Sequence, residues 1–93
     1  AEIFASNQVI GETYVALQHH YGVQRTDARA ALASVLGSGL VAPLNGPGVI
    51  AALEARSGCG FLDRLIADDY RLAELVTLTL DRKMAALPQA RKL

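Results

Sequence analysis

The apolar positions in the first quarter of the chain recur at three- and four-residue steps. Val9, Ile10, Tyr14, Leu17 and Tyr21 predict an amphipathic helix over "NQVIGETYVALQHHY". Ser6 offers an N-cap oxygen for its first turn, and Gly22 suits a left-handed C-cap. A second helix is predicted over "ARAALASVL", with Thr26 and Asp27 as N-cap residues and a stop near Gly37 and Gly39. "LVAPL" is short and flanked by Gly and Pro, which predicts a brief strand. Gly46-Pro47 opens a third helix, "GVIAALEARS", because the missing N–H of proline costs nothing in a first turn. "FLDRLIADDYRLAE" reads as a fourth helix and "LVTLTL" as a buried strand. "DRKMAAL" gives one or two helical turns stopped by Pro88, and "ARKL" a last edge strand.

Helices alternating with short β-branched strands predict an α/β fold with a parallel sheet. Two or three short strands make a thin sheet for so many helices, which is a first hint that an N-terminal element is missing. The chain of 93 residues is expected to form one domain, 1–93, with a modest core. Apolar residues at 52% and charged ones at 19% place it among globular chains rather than disordered ones. No apolar run approaches the ~20 residues a membrane-crossing helix needs. The opening "AEIFASNQ" has neither the basic start nor the long apolar segment of a secretory signal. One cysteine, Cys59, allows no internal disulfide, and a reduced, cytoplasmic setting is expected. Nine basic residues balance nine acidic ones, so any grip on nucleic acid needs a local basic patch or bridging cations.

Three carboxylates stand in apolar company. Glu12 lies at the border of the apolar face of the first helix, between Val9 and Ala16. Asp63 sits among Phe61, Leu62, Leu65 and Ile66, in a first helical turn that favours negative charge. Asp81 closes the strand "LVTLTL", and ligands of open parallel sheets gather at the carboxyl ends of strands. Each has a bland alternative: Asp63 and Asp81 as helix caps, Glu12 as a solvated flank residue or a partner of Arg25. No spacing rule links positions 12, 63 and 81.

Other chemistry-bearing residues point nowhere specific. His19 and His20 are adjacent and so diverge around a helix, which rules out the i, i+4 pairing of a metal site. Cys59 has no neighbouring His and reads as a structural thiol. "LGSGL" and "NGPGV" lack the Lys-Ser/Thr of a phosphate loop and read as turns. "RTDARAALASVLGSGL" could form half of a helix-turn-helix, but no basic second helix follows. Helical-wheel counting puts Asp69 on the apolar face of the fourth helix, with no partner evident, and Asp68 at its solvated edge.

Three ordered stretches resemble the later part of a PIN domain, specifically a VapC-type toxin ribonuclease. They are "SNQVIGETYVALQHHYGV", "GFLDRLIADDYR" and "VTLTLDRKMAALPQARKL", the last being the most specific. The resemblance implies a three-layer fold in which helices flank a short parallel sheet. It implies that Glu12, Asp63 and Asp81 are three of four acidic ligands for Mg2+ or Mn2+, with Thr79 supporting the site. The first acid of that family has no counterpart here; Glu2 is too close to the helix start, and the fold is expected to be N-terminally incomplete. "ADDYR" also departs from the family, which carries small or apolar residues there.

Carboxylates are the right ligands for magnesium, which prefers hard oxygens, and a divalent cation compensates acids that otherwise repel. The activity implied is endoribonucleolytic hydrolysis of RNA phosphodiesters by a metal-activated water, as the toxin of a type II toxin–antitoxin system. Arg64, Arg82 and Lys83 are candidate phosphate contacts, with solvated helix surface as the alternative. A homodimer and a cognate antitoxin protein are the implied partners, and no membrane. The rival reading is a non-catalytic PIN fragment that serves as a dimerisation or antitoxin-binding module, favoured by the missing first acid.

Overall fold

The computed structural model describes residues 3–93, so Glu2 lies outside the described residues. Along the chain run β1 (Phe4–Ala5), α1 (Asn7–His19), α2 (Arg25–Leu36), β2 (Ala42–Pro43), α3 (Gly46–Glu54), α4 (Phe61–Leu72), β3 (Thr77–Thr79), α5 (Arg82–Ala85) and β4 (Ala90–Lys92). The architecture is α/β with parallel strand pairing, as the alternation predicts. Its radius of gyration, 13.2 Å, is near the ~12 Å typical of a compact chain of this length.

Sequence chemistry accounts for most boundaries. The Ser6 hydroxyl accepts the Val9 N–H at 3.3 Å and so starts α1. Gly22 takes the left-handed conformation (φ +66°) that turns the chain towards α2. Pro47 lies in the first turn of α3. The second helix departs from the prediction. It begins at Arg25, its N-cap is Gln24, and no side chain caps it, so Thr26 and Asp27 lie inside the helix instead of ahead of it.

The sheet differs more. The short parallel sheet expected from the sequence is two separate pairs among the described residues, β1 with β2 and β3 with β4. Helices α1 and α4 pack together, and the main core lies among α1, α2, α3 and α4. It is built on Ile10, Tyr14, Ala28, Leu32, Val49, Ala52, Phe61 and Leu65. Tyr14 and Phe61 meet edge to face, ring centres 5.0 Å apart, an arrangement the ring quadrupoles favour. Arg29 contributes from α2: its guanidinium donates to the carbonyls of Ala52, Leu53 and Ala55 at 3.1, 2.7 and 2.7 Å. These are carbonyls at the end of α3, where positive charge is favoured. A smaller cluster of Cys59, Ala67, Met84 and Leu87 ties α4 to α5.

Two expectations about the core fail. Val9 and Tyr21 were placed on the buried face of the first helix, yet both are exposed. Tyr21 follows the end of α1, where helical periodicity no longer sets its direction. The strand "LVTLTL" is inverted as well. Thr77 is buried at 4% exposure, whereas Val76, Leu78 and Leu80 face outward, the last two at 58% and 72%. The Thr77 N–H donates to Gln89 and the Thr79 carbonyl accepts from Leu93, so the backbone groups of Leu78 point away from β4. Among the described residues, one edge of β3 is unpaired.

Candidate functional site

Two of the three predicted acids, Asp63 and Asp81, are near enough for their charges to interact. Asp63 is the third residue of α4 and is half-buried. Gly60 takes the N-cap position with no side-chain bond, so Asp63 is not the cap of its helix. Burial pushes the Asp63 carboxyl above the ordinary carboxylate range, and the negative charge of Asp81 pushes it further. A cation near these two like charges would offset their repulsion.

Asp81 is held by its own neighbours. Its carboxylate accepts the Met84 N–H at 2.8 Å and is the N-cap of α5. The Thr79 hydroxyl accepts the Asp81 N–H at 3.0 Å, which fixes the turn from β3 into α5. Thr79 therefore does support Asp81, through its backbone. The capping alternative holds for Asp81, and among the described residues its second carboxylate oxygen accepts no hydrogen bond. The acid sits just past the carboxyl end of β3, as expected.

Glu12 stands apart. It is exposed on α1 and accepts a hydrogen bond from Gln8 at 3.3 Å. Its charge is not among the causes that shift Asp63, and it forms no ion pair with Arg25. Among the described residues, no three His, Cys, Asp or Glu side chains gather closely enough to hold a metal ion. The donor set thus fits a divalent cation only in part: Asp63 and Asp81 sense one another's charge, and Glu12 on α1 is not among the causes that act on Asp63.

The basic candidates divide. Arg64 donates to the carbonyls of Cys59 and Ser57 at 3.2 and 2.6 Å, tying down the loop ahead of α4. Its Nε and Nη2 are thereby engaged within the protein. Arg82 and Lys83 are exposed in α5 directly after Asp81 and make no ion pair among the described residues. Cys59 is buried against Ala67 and Met84, and burial raises its thiol, which suits the inert role read from the sequence. The segment after α2 leads into β2 and not into another helix, which removes the helix-turn-helix reading.

The adjacent acids of α4 exchange the roles assigned to them. Asp68, expected at a solvated edge, is the enclosed one: it pairs with Arg71 at 2.6 Å and accepts a hydrogen bond from Asn45. Asp69 is exposed as a residue, but its carboxyl reaches back to Asn7. Burial of that end raises its proton affinity, and the Asn7 hydrogen bond partly offsets this.

Asn7 is the residue that sequence reasoning missed. It is 6% exposed at the start of α1, and its amide donates to the Leu65 carbonyl at 3.2 Å and to Asp69 at 3.0 Å. Its own carbonyl oxygen, Oδ1, is buried without a partner. The step from Asn7 to Ile10 to Tyr14 follows the helical spacing of the buried face, and that was the available signal. Asn7 borders a groove of about 500 Å³ between α1 and α4 that also takes in Glu12 and Asp69. No family model, no curated protein and no solved structure matches the chain.

Proposed function

We propose that the chain is the later part of a PIN-like, three-layer domain from a Mg2+- or Mn2+-dependent endoribonuclease, the toxin of a toxin–antitoxin pair acting in the cytoplasm. The observation that supports this reading is that Asp63 feels the charge of Asp81, which lies just past the carboxyl end of a parallel strand. Asp63 and Asp81 would hold the ion, with Thr79 fixing the turn that presents Asp81. A bound divalent cation supplies Lewis-acid stabilisation of phosphodiester hydrolysis. In this reading Arg82 and Lys83, exposed directly after Asp81, would contact RNA phosphates. Glu12 joins the set only if an upstream strand reshapes the surface between α1 and α4. A homodimer and an antitoxin protein are the partners this reading brings with it.

The test is Mn2+ titration followed by electron paramagnetic resonance, with RNA cleavage measured in parallel. Weak binding that disappears in Asp63→Asn and Asp81→Asn, with slow or absent cleavage by the 93-residue chain, agrees with an incomplete ligand set. Mn2+ affinity that is identical in wild type and both variants sinks it. The rival reading, a non-catalytic module for dimerisation or antitoxin binding, draws on the position of Glu12 away from the aspartate pair.

A further inference from the structure

Between α2 and the end of α3 lies a cavity of about 270 Å³ whose charged lining is wholly positive. Thr26, Arg29, Ala30 and Ala33 reach it from α2, because spacings of three, four and seven residues share one helical face. Leu53 of α3 and Arg56, just past that helix, close the other side. Asp27 and Glu54, the acids nearest in sequence, do not line it. Neither Arg29 nor Arg56 forms an ion pair among the described residues. Arg29 is fixed in place by the fold. Its Nη2 alone makes the three bonds to the α3 carbonyls, while Nε and Nη1 donate to no group among the described residues. The carbonyls at a helix end amount to only about half an elementary charge, so the two arginines keep a net positive field. Arg25 adds to it from four residues before Arg29, a spacing at which like charges repel.

We propose that this cavity binds a small phosphate monoester, its phosphate on Arg29, Arg56 and the Thr26 hydroxyl and its organic part against Ala30, Ala33 and Leu53. A guanidinium offers a planar fork of N–H donors that matches phosphate oxygens, and two of them line one space here. A monoester carries about −1.5 to −2 charges at neutral pH, which balances the pair. A carboxylate or an RNA backbone phosphate carries one charge and leaves the pair half-compensated. The apolar side of the cavity favours an organic phosphate over a bare ion, because it gains from covering Leu53 and the two alanines. Arg29 is already held by three carbonyls, so little of its freedom remains to be lost on binding. This proposal is independent of the nuclease reading, which rests on Asp63 and Asp81; neither lines the cavity.

The experiment is isothermal titration calorimetry of the full 93-residue chain with phenyl phosphate, inorganic phosphate and phenol. Phenyl phosphate is expected to bind saturably, inorganic phosphate more weakly, and phenol not at all. Arg56→Gln should weaken phenyl phosphate by about tenfold or more, through loss of a charge-assisted contact. Arg56 is exposed, so this variant keeps the fold, and a melting curve confirms it. Arg29→Lys, which keeps the charge without the fork, should weaken binding as well. Arg91→Gln removes an equal charge from β4 and should leave the affinity unchanged. Phenol binding as tightly as phenyl phosphate, or no saturation at millimolar ligand, overturns the proposal. So does affinity untouched in Arg56→Gln, or lost equally in Arg91→Gln, which would mark unspecific attraction. A single-stranded RNA with hydroxyl ends that binds more tightly than phenyl phosphate, and loses affinity in Arg56→Gln, also overturns it, since the occupant would then be a nucleic-acid backbone.

Discussion

Asp81 has two jobs open to it, and two substitutions separate them. As the N-cap of α5 it accepts the Met84 N–H at 2.8 Å; as a charge it stands near Asp63. Asp81→Ala removes both, whereas Asp81→Asn keeps a capping oxygen and removes only the charge. Loss of a cap costs about 0.5–2 kcal/mol, and α5 has only four helical residues, so about 1 kcal/mol is expected here. Against a total of roughly 5–14 kcal/mol for a chain of this size, that is measurable. With an m-value of ~1–3 kcal/mol per molar urea, the midpoint for Asp81→Ala should fall by ~0.3–1 M. Melting should drop by ~4–8 °C. Asp81→Asn should equal wild type or slightly exceed it, since it relieves repulsion with Asp63. Circular dichroism is the suitable probe, because the chain has no Trp. Both variants should lose Mn2+ binding. An Asp81→Ala protein as stable as wild type refutes the capping argument, and an Asp81→Asn protein that binds Mn2+ normally refutes the functional one.

Three further outcomes are expected. Asp63 holds its proton more tightly in the folded chain than in the unfolded one, so stability falls as pH rises from the ordinary carboxylate value of about 3.9 through the raised native value. Asp63→Asn should therefore stabilise the protein at pH 7, with the gain fading below about pH 3.9; urea midpoints across pH would show it, and a destabilised variant at neutral pH would contradict it. Asn7→Ala should cost about 1–3 kcal/mol in chemical denaturation, because Leu65 loses a buried donor. Arg29→Met should cost about 1.5–3 kcal/mol, through the loss of charge-assisted bonds to the end of α3, and a loss under 0.5 kcal/mol would show water replacing them.

Elements whose boundaries are set by local chemistry were legible in the sequence. Ser6, Gly22, Pro47 and Pro88 act on the backbone within a few residues, and each marks a real start or turn. The strands were legible as segments but not as sheets, because pairing depends on how α1 and α4 bring distant chain together. The inward face of β3 was misread for a similar reason. Alternation in "LVTLTL" specifies two faces without saying which is covered, and here the threonines are inside. The same limit applies to the acids. Helical counting assigned burial to Asp69 over Asp68, and the outcome turned on Arg71 and Asn45, one on the same helix and one 23 residues away. The charge interaction between Asp63 and Asp81 joins residues 18 positions apart, and nothing local in the sequence announces it.

The outward leucines at β3 have a practical cost. Leu78 sits on β3 and Leu80 just after it, and among the described residues the strand's free edge still offers N–H and carbonyl groups, a template for edge-to-edge aggregation. Arg82 in α5 and Arg91 and Lys92 in β4 are exposed nearby, and like charges of this kind oppose association of two copies by repulsion. Solubility of the isolated chain should accordingly be worse at high ionic strength, where that repulsion is screened, and a lysine in place of Leu78 should improve it.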